Sequence, residues 1–314
     1  MFSRNPRNAF GFLVFGLLAC LAVASPVQAQ NKAEDEIPKP KIVDFTTQDG
    51  VVLKGTYYPG LAGKDTVPIV LLHMWGGNRG DWREIPELLQ KQGHGVLALD
   101  LRGHGESTTV VGQTQLLDYR KMPPKQYVRM YEDDMETVKT WLLSENNAGR
   151  VNIEKMCVIG AEMGAVVAVN WAARDWAWPV LPGGKQGQDV KALILISPEW
   201  NFKGITINQS INAPALLKII STQIVVGEKD AEALSASKRI HQLLAGQRQT
   251  EFKEPAEQVK LQDLFLDKYQ TSLQGTKMLT VKNLGMETRM QKFLKLRLVD
   301  KNFPWKERVN PLSQ

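Results

Sequence analysis

The sequence predicts an α/β domain: a mostly parallel central sheet flanked by helices, entered through an N-terminal antiparallel hairpin. Short, β-rich apolar runs at 68–72, 95–99, 156–159, 192–196, 222–226 and 277–281 alternate with segments that are mostly of helical character. Runs that are apolar throughout suit strands covered on both faces, the usual condition of a parallel sheet. Ahead of them, 41–47 and 51–58 flank Gln48-Asp49-Gly50, a turn composition that joins antiparallel strands.

Residues 1–29 stand apart from this pattern. Arg4 and Arg7 precede an apolar stretch from 9 to 24, and Val27-Gln28-Ala29 supplies small residues for cleavage, the arrangement of a secretory signal peptide. The stretch is shorter than the roughly 20 residues of a spanning helix, and the polar segment 30–40 follows it. Leu17-Leu18-Ala19-Cys20 offers an alternative, lipidation at Cys20, which would tie the protein to a membrane. The apolar run continues past Cys20, which favours cleavage at 29 and a secreted or periplasmic protein.

Removing 1–29 from the 314 residues leaves 285, enough for the single domain expected over 41–314. Only Cys157 remains, so no internal disulfide holds the exported chain. Formal charge falls from +6 to +4 with the loss of Arg4 and Arg7. The densest basic set, Lys292, Lys295, Arg297, Lys301, Lys306 and Arg308, reads as a solvated helix face, so nucleic acid is not an expected partner. Segments 111–126, 200–215 and 246–275 fit neither period and are expected to be excursions over the strand ends, where open α/β sheets carry their sites.

Chemistry concentrates in Gly160-Ala161-Glu162-Met163-Gly164. A short apolar run enters it and an apolar helix pattern leaves it, the setting of a strand-to-helix nucleophile elbow written G-x-S-x-G, with glutamate in the serine's place. Four further segments occur in order: His73-Met74-Trp75-Gly76-Gly77, Asp100-Leu101-Arg102-Gly103-His104-Gly105-Glu106-Ser107, Ile196-Ser197-Pro198, and Gly227-Glu228-Lys229-Asp230. Together they resemble the α/β-hydrolase family over roughly 41–304.

The resemblance implies a role for each position. Glu162 takes the nucleophile's place and Asp230 the triad acid's. The triad histidine should follow the last strand, which places Met286 at its position, and no histidine occurs after His241. The oxyanion donors would be the backbone N–H groups of Trp75 and Met163, with Met74 replacing the usual glycine of that loop. A serine hydrolase without nucleophile and histidine loses about a millionfold in turnover, or about 8 kcal/mol.

The sequence therefore predicts a pseudoenzyme with a binding or structural role, its ligand an unspecified small molecule or protein. The enzymatic alternative is a hydrolase of esters or related small molecules that uses Glu162 as carboxylate nucleophile or general base. Metal ligation by Glu162 with His73, His104 or Asp230 lacks any ligand spacing, so no metal or cofactor is expected. His73 and His104 otherwise order their own loops, and Asp230 caps the following helix. Ser107 and Ser197 read as structural, and Glu199 either reaches the pocket or caps. Ser235-Ala236-Ser237-Lys238 matches S-x-x-K by chance. The tryptophans around Asp175 read as packing.

Overall fold

In the computed structural model, residues 37–249, 251–281 and 283–308 are described. The signal peptide assigned to 1–29, Cys20 and most of the polar segment 30–40 lie outside them. Among the described residues, no helix is long and apolar enough to cross a membrane.

The chain opens with β1 (Lys41–Thr46) and β2 (Val51–Tyr58), paired antiparallel around the expected turn. Next come β3 (Pro68–Leu72), β4 (Gly95–Leu99), the short β5 (Thr109–Val110) and β6 (Met156–Ala161). A small hairpin, β7 (Val180–Leu181) and β8 (Gly184–Lys185), leads to β9 (Val190–Ile196). A second hairpin, β10 (Asn201–Phe202) and β11 (Ile205–Thr206), precedes β12 (Ser221–Gly227) and β13 (Leu264–Tyr269). The main sheet runs β1-β2-β4-β3-β6-β9-β12-β13, with β5 on β2. From β4 to β13 every neighbour pair is parallel, and β1 and β2 form the antiparallel entry.

Side-chain alternation divides the core into two layers. On β3, Val70 and Leu72 join the cluster that contains α3 (Met135–Asn147), α4 (Met163–Ala177) and α6 (Ala231–Ala245), while Ile69 and Leu71 face the cluster of α1 (Ile85–Lys91) and α8 (Met286–Leu294). All of β3, β4 and β6 is buried, which is why these strands are apolar on both faces. Each such leucine or isoleucine contributes roughly 1.5–3 kcal/mol by leaving water.

One predicted strand is wrong. Residues 277–280 fall in a 3-10 turn, Gly275–Thr280, which Val281 ends, and the last strand among the described residues is β13. A short apolar run such as Met278-Leu279-Thr280-Val281 has no periodicity to separate strand from buried turn. Edge strand β13 hides its character by carrying Asp267 and Lys268 in its middle: Asp267 is buried against Gln223 and Arg289, and Lys268 is exposed. Segment 246–275 is thus partly regular, holding β13 and α7 (Pro255–Leu261). The basic set near the end is also not a uniform solvated face: Arg297 is 3% exposed, and Arg308 is paired with Asp189 and Glu154.

Candidate functional site at the elbow

At the end of β6 the backbone turns sharply into α4, and Glu162 sits on the turn with φ +47° and ψ −111°. That region is unfavourable for a residue with a side chain and persists only where its surroundings impose it. The surroundings are Gly160 and Gly164. A Cβ at 160 would collide with the Gly164 carbonyl, and one at 164 with the Leu72 carbonyl of β3. Two glycines therefore let strand, helix and neighbouring strand close on one another, with the residue between them pushed outward.

Glu162 faces a cleft of about 490 Å³ at the carboxyl ends of the parallel strands. Glu199, Asp230 and Glu232 line it as well, together with Ser197, Trp200 and Gln274. Burial raises the Glu162 carboxyl above its ordinary value, with Lys277 opposing and Asp230 reinforcing. Glu199 is pushed up to about 7 by burial, then by the charges of Glu162 and Glu232. None of the four carboxylates forms an ion pair among the described residues. They are also too dispersed for a metal: among the described residues, no group of three His, Cys, Asp or Glu could hold one.

Asp230 is a helix cap as well as a cleft residue. Its Oδ1 accepts from the N–H groups of Glu232 and Ala233 at 3.1 and 3.0 Å, which fixes the start of α6. The histidines stay away. His73 is fully buried; its Nδ1 contacts the Met74 carbonyl oxygen at 2.7 Å, and its Nε2 accepts from the Leu101 N–H at 3.0 Å. Burial lowers its pKa, as it does that of His104, which falls to about 4 with help from His73. His104 Nδ1 contacts the Arg102 carbonyl oxygen, its ring stacks on Tyr119, and its Nε2 has no partner among the described residues. Neither histidine lines the cleft.

Met286 does not line it either. It begins α8 and packs into the core with Met278, Met290 and Phe293, 1% exposed. Because the last strand is β13, the loop that follows it is 270–274, and its end residue Gln274 faces Glu162 across the cleft. Gln274 is held in place: its Oε1 accepts from Ser197 Oγ at 2.6 Å and its Nε2 donates to the Gly227 carbonyl at 2.9 Å. Gly275, with φ +55°, makes room for the elbow side chain. A Cβ there would lie 2.8 Å from Glu162 Oε1 and 3.0 Å from Met74 Sδ. The extra methylene of glutamate is accommodated by a missing side chain on the opposite loop.

The two oxyanion-type donors are available. Among the described residues, neither the Met163 nor the Trp75 backbone N–H has an acceptor in the protein. The Trp75 ring is partly exposed, edge-on to Tyr119 and under the Lys203 ammonium at 4.5 Å. The D-x-R-G loop is structural: Arg102 pairs with buried Asp134 and with Asp49, and Asp100 accepts from the Arg79 N–H at 2.6 Å. Gln274, Glu232 and Trp200 were not singled out in the sequence. Glu232 lies two residues past Asp230, but Gln274 could be found only with the final strand correctly placed.

A sequence profile described as alpha/beta hydrolase fold matches residues 67–214. Among solved structures, an esterase of Pyrococcus furiosus is 19% identical, with a TM-score of 0.55, over 83% of this chain and 92% of its own. An esterase of Exiguobacterium antarcticum is 15% identical, with a TM-score of 0.52, over 81% and 99%. The alpha/beta hydrolase GrgF of Penicillium sp. sh18 is 15% identical, with a TM-score of 0.54, over 83% and 99%. No curated protein sequence matches the chain. Sheet order, elbow and these likenesses agree: the chain has the α/β-hydrolase fold.

Proposed function

We propose that this is an exported protein of α/β-hydrolase fold that does not act as a serine hydrolase and that binds a small cationic ligand in the cleft over its elbow. One observation carries the reading. The residue on the elbow is a carboxylate, it shares the cleft with Glu199, Asp230 and Glu232, and no histidine lines that cleft. Acyl transfer by this fold needs a hydroxyl and a base beside it. Four carboxylates that form no ion pair among the described residues instead suit an amine, whose charge would relieve their mutual repulsion. Neither a cofactor, a membrane nor nucleic acid has a part in this reading.

A second reading has its own support. The elbow keeps its strained geometry, two backbone donors remain unpartnered, and burial raises the Glu162 carboxyl, as a general base or carboxylate nucleophile would require. It lacks a group to activate water for breakdown of an ester intermediate.

Purified protein would be incubated with activated esters, epoxides and haloalkanes beside Glu162→Ala, and its melting followed with a panel of mono- and diamines. The binding reading expects no turnover above the Glu162→Ala background and stabilisation by an amine that Glu162→Gln weakens. Turnover abolished by Glu162→Ala would instead establish the hydrolase.

A further inference from the structure

A second cleft, of about 400 Å³, lies at the other end of the sheet, where β9, β12 and β13 begin. Four cations line it: Lys191 from the start of β9, Lys260 from the end of α7, and Arg297 and Lys301 from the segment after α8. One acid, Asp263, lines it too, and that carboxylate is already paired with Arg248 at 3.2 Å. Like charges gathered in one hollow repel one another, so their convergence costs stability unless something anionic completes the site.

The individual side chains bear this out. Arg297 is 3% exposed; its two terminal nitrogens donate to the carbonyls of Lys260 and Val259, while its Nε has no partner among the described residues. Burying a guanidinium nitrogen without an acceptor is expensive, and an anion in the cleft is the missing acceptor's chemistry. Among the described residues, Lys301 donates only to the Lys260 carbonyl at 3.2 Å and Lys191 only to the Gln188 carbonyl, and neither ammonium meets a carboxylate within salt-bridge range. Burial, then Arg297 and Lys260, lower the Lys301 pKa; burial, then Lys185, bring Lys191 down to about 8.

The cleft also has an apolar side. The Lys191 ammonium lies 4.7 Å from the Trp176 ring centre and 5.9 Å from that of Phe303. Ile219 and Leu261, about half exposed, complete the apolar lining. A simple carboxylate has one charge and would leave most of these donors unused. A phosphate dianion accepts from several donors at once.

We propose that this cleft binds a phosphomonoester whose organic part is aromatic or aliphatic, with Lys260, Lys301 and Arg297 around the phosphate and Trp176 and Phe303 beside the organic part. The same headgroup chemistry is offered by a soluble phosphomonoester and by phosphatidic acid in a bilayer. The site is separate from the elbow cleft and does not depend on what that cleft does.

Titration calorimetry of the exported chain with phenyl phosphate, phenyl sulfate and inorganic phosphate, beside co-sedimentation with phosphatidylcholine vesicles with and without phosphatidic acid, tests the proposal. Phenyl phosphate should bind saturably and more tightly than phenyl sulfate. Lys260→Ala with Lys301→Ala should weaken it by about tenfold or more. Lys292→Ala with Lys306→Ala, removing two exposed lysines elsewhere, should leave it unchanged. Binding to phosphatidic acid vesicles alone, lost in the first double variant only, would assign the headgroup to a lipid. Absence of saturable binding to every probe would overturn the site. Equal weakening by both double variants would overturn it too, since diffuse surface charge would then explain the effect. Among the described residues, none of these four lysines forms an ion pair with a carboxylate, and circular dichroism would verify that each variant is folded.

Discussion

At the carboxyl ends of β6, β9 and β12, Glu162, Glu199, Asp230 and Glu232 surround one hollow, whereas at the amino ends of β9, β12 and β13 a second hollow gathers Lys191, Lys260, Arg297 and Lys301. Deep in the fold, charges behave differently. Lys139 sits between Asp175 and Asp189, Arg308 closes on Asp189 and Glu154, and Arg102 is shared by Asp134 and Asp49. These interior charges are paired because leaving one unpaired would cost several kcal/mol. Among the described residues, the four carboxylates of the first hollow and the four cations of the second form no ion pair, so each hollow gathers like charge at a cost in stability.

The largest test of the acidic hollow asks whether serine-hydrolase chemistry can be built into it. Glu162→Ser with Gln274→His should raise hydrolysis of an activated acetate ester about a thousandfold or more over Glu162→Ser alone, because nucleophile and base act as a unit. Glu162→Ser with Met286→His should give no rise, since Met286 lies in the core. Equal rates in the two double variants would remove Gln274 from the site.

Next in size is the contrast between paired and unpaired charge. Lys139→Ala leaves buried Asp175 and Asp189 facing one another and should cost about 3–5 kcal/mol in chemical denaturation. Glu162→Gln, by contrast, should be neutral or stabilising above pH 7. A loss of stability there would mean that the Glu162 carboxylate has a partner after all.

Asp230→Ala removes two capping hydrogen bonds and should cost about 1 kcal/mol, as a helix cap does. Weakened amine binding in the same variant would give Asp230 its second role. An unaltered affinity would confine it to the cap.

The smallest effect is a slope with pH. Glu199 titrates near 7 in the fold and near 4.5 when unfolded, so the native state holds its proton more tightly between those values. Its contribution is full below about 4.5 and is lost as pH rises through about 7. Glu199→Gln should flatten that part of the stability profile, read as melting temperature from pH 4 to 8. An unchanged slope would place the burial effect elsewhere.

Much of this was legible in the chain. The runs at 68–72, 95–99, 156–159, 192–196 and 222–226 became strands, because strands buried on both faces must be apolar throughout, and that is a local property. The elbow was legible as well, since Gly160 and Gly164 are needed wherever strand and helix approach so closely. Edge strand β13 was not: with one side of the sheet ended, it carries Asp267 and Lys268, and its composition looks like a loop. With 277–281 taken as the last strand, the expected histidine position fell at Met286; with β13 in that place, the loop that follows ends at Gln274, which lines the cleft. Arg297 was likewise read as solvated, since its sequence neighbours are basic, whereas in the fold it donates to carbonyls of α7 and lies by Phe265 of β13.

By itself the sequence determined the order of the main parallel strands up to β12, the elbow frame and the absence of a histidine after His241, because each depends on residue identity and short spacing. The tertiary structure decided which side chains meet. Glu162, Glu199, Asp230 and Gln274 come from four separate strand ends, and Lys191, Lys260, Arg297 and Lys301 from separate segments at the opposite end. Parallel strands bring residues together only through long crossovers, so their convergence is set by sheet order and register, which no local pattern encodes.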